Sequence, residues 1–143
     1  MSDSWLAAYY WNIRAIIAEQ NDIFATDDSR WFISDVDDAV LGERIEARLP
    51  YRDSSILYAN CNLQIETVVV EWRYVYVYNS PEGERILQYD NREHHPEIDT
   101  FPHHMYKGPK PSRKGKDTAY PTDIDHLTFE NVLLKIRGEF FAP

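Results

Sequence analysis

The sequence predicts an α+β fold: an N-terminal helix, a roughly four-stranded antiparallel β-meander, a long basic loop and a C-terminal helix. Three observations predict it. Apolar residues recur at helical spacing near both ends of the chain, alternating, β-branched or aromatic runs fill positions 44–91, and a proline-rich basic segment follows them. The 143 residues, of which 43% are apolar, can bury one core, so we expect a single domain over residues 1–143.

The first predicted helix runs from Ser4 to about Gln20, with Ser4 as its N-cap. Its apolar residues recur three and four positions apart, which places them on one helical face. They are Trp5, Leu6, Tyr9, Tyr10, Ile13, Ile16 and Ile17. We expect this face to pack on the sheet of the same domain, and partner binding is the alternative. Residues 21–43 show no sustained period and are predicted to be loop with one strand or short helix.

Four strands are predicted in the middle of the chain, joined in sequence by turns. They are Arg44–Tyr51, Ile56–Leu63, Val68–Tyr78 and Arg85–Asn91. The third is rich in β-branched and aromatic residues, and apolar groups on both of its faces predict a central strand. If the last hairpin is symmetric about its turn, Tyr74 pairs with Tyr89 and Arg73 pairs with Asp90.

The segment from residue 92 to residue 121 contains five prolines and is predicted to be a long loop. Loops of this length inside compact domains commonly carry function. A second helix is predicted for Asp125–Phe141, with Thr128 or Asp125 as its cap.

Composition restricts the classes of function. Cys61 is the only cysteine, which excludes an internal disulfide and a cysteine-based zinc site. No signal peptide or membrane span is recognisable, so we expect a soluble cytoplasmic protein with no membrane partner. The net charge of −9 disfavours non-specific nucleic-acid binding, but residues 85–116 hold seven basic and four acidic residues, a local charge of +3. This positive segment is compatible with an anionic substrate.

Four of the five histidines lie within the positive segment: His94, His95, His103 and His104. Histidine changes its charge near neutral pH, so these four are candidate acid–base groups. Cleavage of RNA without a metal needs a base for the 2′-hydroxyl, an acid for the leaving oxygen and a cation for the phosphate. Two histidines and Arg92 would meet these needs.

Neighbouring residues complete the candidate site. Asp90 and Glu93 carry carboxylates that would orient an imidazole through a ring N–H. Tyr89, together with Tyr74 and Tyr76, would offer aromatic rings on which RNA bases stack. The candidate catalytic residues are therefore His94, His95, His103, His104, Arg92, Asp90 and Tyr89.

Two other interpretations of the histidines remain open. With Glu97 or Asp99 they would surround zinc or nickel. Adjacent histidines on an extended chain point in opposite directions, so each pair offers one ligand easily and two only with a bend. Alternatively, the histidines are structural and hold the proline-rich loop against the sheet.

Two motifs in this region resemble the signature of the TumE family, small proteins assigned as toxins of prokaryotic toxin–antitoxin pairs. The motifs are Tyr89-Asp90-Asn91-x-x-His94-His95 and Phe101-Pro102-His103-His104. The similarity covers about residues 68–136 and includes the tyrosine-rich third strand. In the family an arginine commonly precedes the first motif, where this chain has Gln88, and another histidine often follows the second, at the position of Tyr106.

The resemblance implies a cytoplasmic toxin neutralised by a cognate antitoxin, which we expect to be a helix-turn-helix protein from an adjacent gene. The histidines and the local positive charge favour action on RNA, as a metal-independent endoribonuclease that needs no cofactor. One alternative is a non-enzymatic protein that binds a partner or RNA through the aromatic face of its sheet. Another is a histidine-metal hydrolase. The sequence leaves open whether the protein forms a homodimer.

Overall fold

The computed structural model of the protein describes residues 2–25, 30–35, 43–65, 69–112 and 115–141. Within these ranges the chain forms two helices and seven strands. In chain order they are α1 (Ser2–Glu19), β1 (Arg30–Asp35), β2 (Glu43–Pro50), β3 (Ile56–Ile65), β4 (Val69–Asn79), β5 (Arg85–Asp90), β6 (His104–Lys107), β7 (Tyr120–Pro121) and α2 (Phe129–Phe140). Neither of these two helices has the length and apolar character needed to cross a membrane.

All seven strands form one antiparallel sheet whose spatial order follows the chain from β1 to β7. The predicted α+β class, with a helix at each end of the chain and an antiparallel sheet between them, is confirmed. The four predicted strands are β2 to β5. β1 is the strand expected within residues 21–43, of which residues 26–29 and 36–42 lie outside the described part of the chain.

The sheet is larger than predicted because the expected loop of residues 92–121 contains β6 and β7. These strands are four and two residues long, which is too short for a period-two pattern to be recognised. The prediction of an uninterrupted loop there is wrong.

The register of the β4–β5 hairpin also differs from the predicted one. Tyr89 pairs with Tyr76, and Asp90 pairs with Val75. The predicted pairs of Tyr89 with Tyr74 and of Asp90 with Arg73 are therefore wrong, because the hairpin is not symmetric about its turn and carries a bulge near Tyr78. The displacement is an even two residues, so each side chain stays on its predicted face of the sheet.

Both helices pack on the same face of the sheet, which we call the covered face. Ile13 of α1 and Phe129 of α2 join one core with the inward side chains of β2 to β6. The predicted packing of the first helix on its own sheet is confirmed. Tyr74, Tyr76 and Tyr89 belong to this core and are each 1% exposed. The expectation that these tyrosines stack with RNA bases is therefore wrong.

The helix ends are set by local hydrogen bonds. α1 begins at Ser2, so Ser4 lies inside the helix and is not its N-cap. α2 begins at Phe129, later than predicted, because the extended residue Thr128 accepts a hydrogen bond from the backbone N–H of Asn131 through its side chain. Thr128 is one of the two caps that the sequence predicts.

Removal of this cap is expected to weaken α2. The change Thr128→Ala leaves the Asn131 N–H without its acceptor and should lower the free energy of unfolding by about 1 kcal/mol, measured by urea denaturation. The matched control is Thr118→Ala, at an exposed position outside the helices, with an expected change below about 0.5 kcal/mol. Equal effects of the two changes would contradict a capping role.

Neither helix covers the opposite face of the sheet, which we call the open face. Side chains of a strand alternate between the two faces. Tyr89 and Met105 pair on the covered face, whereas their neighbours Asp90 and His104 pair on the open face. The β5–β6 register thus brings the first histidine motif next to the second.

Candidate functional site

Three of the four candidate histidines meet on the open face. One ring nitrogen each of His94, His95 and His104 lies within 4.8 Å of the others. We call these three residues the histidine cluster. β5 ends at Asp90 and β6 begins at His104, so the loop between the paired strands brings His94 and His95 to His104. Three neighbouring imidazoles can exchange protons with a bound molecule, and they also match the donors that a transition-metal ion prefers.

A backbone bend allows two adjacent histidines to share one cluster. His95 has a φ of +119°, in the left-handed region that residues other than glycine rarely adopt. The rings of His94 and His95 have centroids 5.4 Å apart, and those centroids lie 5.8 Å and 5.1 Å from that of His104. Two adjacent histidines can face one site only if the chain bends between them, and the backbone at His95 provides this bend.

His104 is the buried member of the cluster, with 1% exposure. Its Nδ1 lies 3.0 Å from the carbonyl oxygen of Pro102, and its Nε2 lies 2.7 Å from Oδ1 of Asp90. Both facing atoms are acceptors, so the ring donates to both only when it carries two protons. A neutral ring donates to one of these two acceptors, and the contact with Asp90 is the shorter of the two.

Asp90 is fixed by two further donors. Its Oδ1 accepts the backbone N–H of Arg92 at 3.2 Å, and its Oδ2 accepts Nε2 of Gln88 at 3.1 Å. The carboxylate therefore holds the ring of His104 in one orientation. A second carboxylate contacts His95: Oε1 of Glu97 lies 3.3 Å from its Nδ1. Glu97, and not Glu93, is the glutamate that contacts an imidazole of the cluster.

Tyr106 joins the cluster through its hydroxyl group. The oxygen lies 3.2 Å from Nε2 of His95 and 3.3 Å from Nε2 of His104. Burial raises the pKa of Tyr106, with a further increase from Asp90 and Asp117, so the phenol keeps its proton at neutral pH. The tyrosine at the position of the additional family histidine is thus a member of the site.

A buried arginine supports Tyr106. The guanidinium of Arg85 lies 5.2 Å from the Tyr106 ring centroid and donates two hydrogen bonds of 2.7 Å to Asp117 and one of 2.8 Å to the carbonyl oxygen of Gly108. These bonds hold the pKa of Asp117 below its usual value. Arg85 and Asp117 are 32 positions apart, so no local sequence pattern indicates the pair.

A groove on the open face reaches the site. Its volume is about 600 Å³, and its walls include Arg48, Tyr58, Val75 and Arg92. Val75 pairs directly with Asp90 across β4 and β5, which fixes the position of the groove relative to the cluster. The groove therefore combines two guanidinium groups, the carboxylate of Glu46 and the ring of Tyr58, which is 39% exposed. Valine side chains form its floor.

Two candidate residues lie apart from the cluster, on the covered face. Nδ1 of His103 lies 2.7 Å from the hydroxyl of Tyr74, and the hydroxyl of Tyr89 donates to Asp123 at 2.8 Å. His103 points away from His104 because consecutive residues of an extended chain alternate in direction. Burial lowers the pKa of His103, and His104 adds to the shift. His103 lines a separate cavity of about 690 Å³ near α1 and α2.

Comparison with known proteins supports the resemblance seen in the sequence. The family described as Toxin TumE matches residues 13–138 of the 143-residue chain. This match begins in α1 and ends in α2, and it contains the whole sheet and the histidine cluster. No curated protein and no solved structure matches the chain. The chain therefore belongs to the TumE toxin family, and membership of this toxin family implies a toxin–antitoxin system with an antitoxin as the general kind of partner.

Proposed function

We propose that this toxin acts on RNA as a metal-independent endoribonuclease whose site is the histidine cluster with Arg92. The observation that carries the proposal is the convergence of three imidazoles and a carboxylate beside a groove that contains two arginines. Imidazole is suited to proton transfer near neutral pH, and guanidinium is suited to phosphate. The site therefore contains the groups that phosphodiester cleavage needs.

His94 and His95 are the proposed catalytic residues, since they are the more accessible members of the cluster. One imidazole takes the proton of a ribose 2′-hydroxyl as its oxygen attacks the adjacent phosphorus. The other gives a proton to the 5′-oxygen as the phosphorus–oxygen bond breaks. The products carry a 2′,3′-cyclic phosphate and a 5′-hydroxyl, and exchange with water restores both imidazoles.

The other members of the site have supporting roles. His104 and Asp90 are positioning residues, because their buried pair fixes the base of the cluster. Arg92 is exposed at the edge of the groove and binds the phosphate oxygens.

The groove suits a single strand of RNA. Tyr58 lines this groove, and its side chain is exposed on the open face. We therefore propose that RNA bases stack on Tyr58 and not on the buried tyrosines of the core. Arg48 pairs with Tyr58 across β2 and β3, so a cation lies next to the ring on which a base would stack. Double-stranded RNA has no free base faces for this contact.

Cleavage of cellular RNA by the purified full-length protein in the presence of EDTA tests the proposal. The change Arg92→Ala is expected to lower the cleavage rate by about 100-fold, because a cation that stabilises the transition-state charge is lost. The matched control is Arg137→Ala on α2, which removes an exposed arginine bonded to Asp22 and should leave the rate unchanged. If the wild-type protein cleaves no RNA in the presence of EDTA, the proposal of a metal-independent reaction is wrong.

A metal-dependent hydrolase is the second candidate function, because three imidazole nitrogens lie close enough to serve as ligands. In that case EDTA abolishes cleavage and added Zn²⁺ restores it. The same assay therefore separates the two functions.

For the antitoxin, we expect a helix-turn-helix protein encoded next to the toxin gene. Outside residues 85–116 the toxin has a net charge of −12, which favours a partner with a basic surface. Because the proposed substrate is cellular RNA, we also expect the toxin to act in the cytoplasm. Co-purification of the toxin with the product of an adjacent gene, weakened by salt, tests the charge argument.

A further inference from the structure

We propose that the histidine cluster binds one divalent transition-metal ion of the zinc class. The proposal concerns binding itself. An ion bound here occupies His94 and His95, so it would inhibit the metal-independent reaction and would be required by the metal-dependent one. The three ring nitrogens lie within 4.8 Å of one another. Nitrogens that share a tetrahedral zinc ion lie about 3.3 Å apart, since each is about 2.0 Å from the metal. Rotation of the exposed His94 side chain can bring its ring nitrogen closer to the nitrogens of His95 and His104.

The second ring nitrogens of two members are already oriented as in metal sites. Nδ1 of His104 faces the carbonyl oxygen of Pro102, and Nδ1 of His95 faces the carboxylate of Glu97. Ligating histidines in proteins almost always donate this second N–H to a carbonyl or a carboxylate, which fixes the ring and leaves the other nitrogen for the metal. In His95 that other nitrogen, Nε2, faces the hydroxyl group of Tyr106. In His104 it faces the same hydroxyl group and also Oδ1 of Asp90, so a metal ion would replace the proton between Nε2 and Asp90.

The backbone at His95 provides an independent observation. Its φ of +119° costs free energy for a residue with a side chain, and such conformations concentrate at sites where a side chain must take a defined direction. Here the direction is toward His94 and His104, which an extended chain would not allow for adjacent residues.

The donor set also selects the class of ion. Imidazole nitrogen suits zinc, nickel, copper and cobalt, whereas magnesium and calcium prefer oxygen ligands. Asp90 lies 2.7 Å from Nε2 of His104, so a carboxylate oxygen is next to the proposed ion. Cys61 is buried in the core and contributes no thiolate to the cluster.

The test uses the full-length protein without a histidine tag, stripped of metal with a chelator. Calorimetry with ZnCl₂ is expected to show one ion bound per chain, and CoCl₂ to give the visible absorption of a tetrahedral cobalt site. The changes His94→Ala and His95→Ala should each lower zinc affinity at least about 100-fold, as loss of a ligand exceeds the 10- to 100-fold effect of losing an outer contact. Both residues lie in a loop, and circular dichroism checks that the variants fold.

The matched control is His126→Ala, which removes the exposed histidine outside both motifs and should leave zinc affinity unchanged. MgCl₂ in large excess should not compete. The proposal is overturned if no zinc binds at micromolar concentrations, if His94→Ala and His95→Ala bind as tightly as the wild type, or if His126→Ala weakens binding equally.

Discussion

Replacement of His94 and His95 together by alanine is expected to lower RNA cleavage at least about 1,000-fold. The proposed mechanism uses these imidazoles as base and acid, and a positioned group of either kind contributes about 10²- to 10⁴-fold. The change removes no buried side chain, because His94 is exposed and His95 is partly exposed. The measurement is single-turnover cleavage of an end-labelled RNA in EDTA, with growth inhibition on expression as the second readout.

The matched control is again His126→Ala, which leaves the cluster intact. The expected products of the wild-type protein carry 2′,3′-cyclic phosphate ends, and the double variant should lose these products and its toxicity together. If the double variant still cleaves RNA at the wild-type rate, the cluster is not the site. If it loses cleavage but remains fully toxic, RNA cleavage is not the basis of toxicity.

The sequence predicts the central part of the fold well, for a physical reason. β2 to β5 have six to eleven residues each. Strands of this length show a recognisable pattern of alternating or β-branched and aromatic side chains. β6 is four residues long and begins at His104, so its strand character depends on pairing with β5. Such pairing is a tertiary effect, which local propensity does not encode.

The composition of β4 does not indicate which of its two faces the helices cover. One face of the strand carries tyrosines and the other carries valines, and either set can be buried. Tyr74 and Tyr76 are buried because their hydroxyls find partners within the protein, at His103 and Glu71. Those partners are 29 and 5 residues away in sequence, so the covered face follows from the tertiary structure.

For the candidate site, the sequence indicates the residue types and the structure selects among them. His94, His95 and His104 come together because of the bend at His95 and the pairing of Asp90 with His104. Neither feature has a recognisable signature in a single sequence. Tyr106 stands at a position where the family often has a histidine, but its hydroxyl still lies between two imidazoles of the cluster.

The largest effect on stability is expected from Glu71, a strand residue without a predicted role. Its carboxylate accepts hydrogen bonds from the hydroxyl of Tyr9 at 2.8 Å, from the hydroxyl of Tyr76, and from the backbone N–H of Phe129 at 2.9 Å. These donors belong to α1, β4 and the first residue of α2, so one side chain joins both helices to the sheet. The carboxyl group of Glu71 also lies at the N-terminus of α2, where the helix dipole favours an anion.

The change Glu71→Ala is expected to lower the free energy of unfolding by about 3 kcal/mol, because three donors lose their acceptor at once. Urea denaturation at pH 7 measures it. Glu71→Gln keeps an acceptor oxygen and most of the volume, so its loss should be smaller. A loss below 1 kcal/mol for Glu71→Ala would contradict the role of Glu71 in joining the helices to the sheet.

A pH series separates the charge of Glu71 from its hydrogen bonds. Burial raises the pKa of Glu71 above its ordinary value of 4.5, and the hydrogen bonds from Tyr76, Tyr9 and Phe129 oppose this shift. The folded protein therefore holds the proton more tightly than the unfolded chain does. This contribution to stability is present at low pH and is lost as the pH rises above 4.5. Glu71→Gln has no proton to lose, so the difference in stability between wild type and this variant should shift in favour of the wild type as the pH falls. A difference that is constant with pH would mean that the carboxylate is not destabilised by burial.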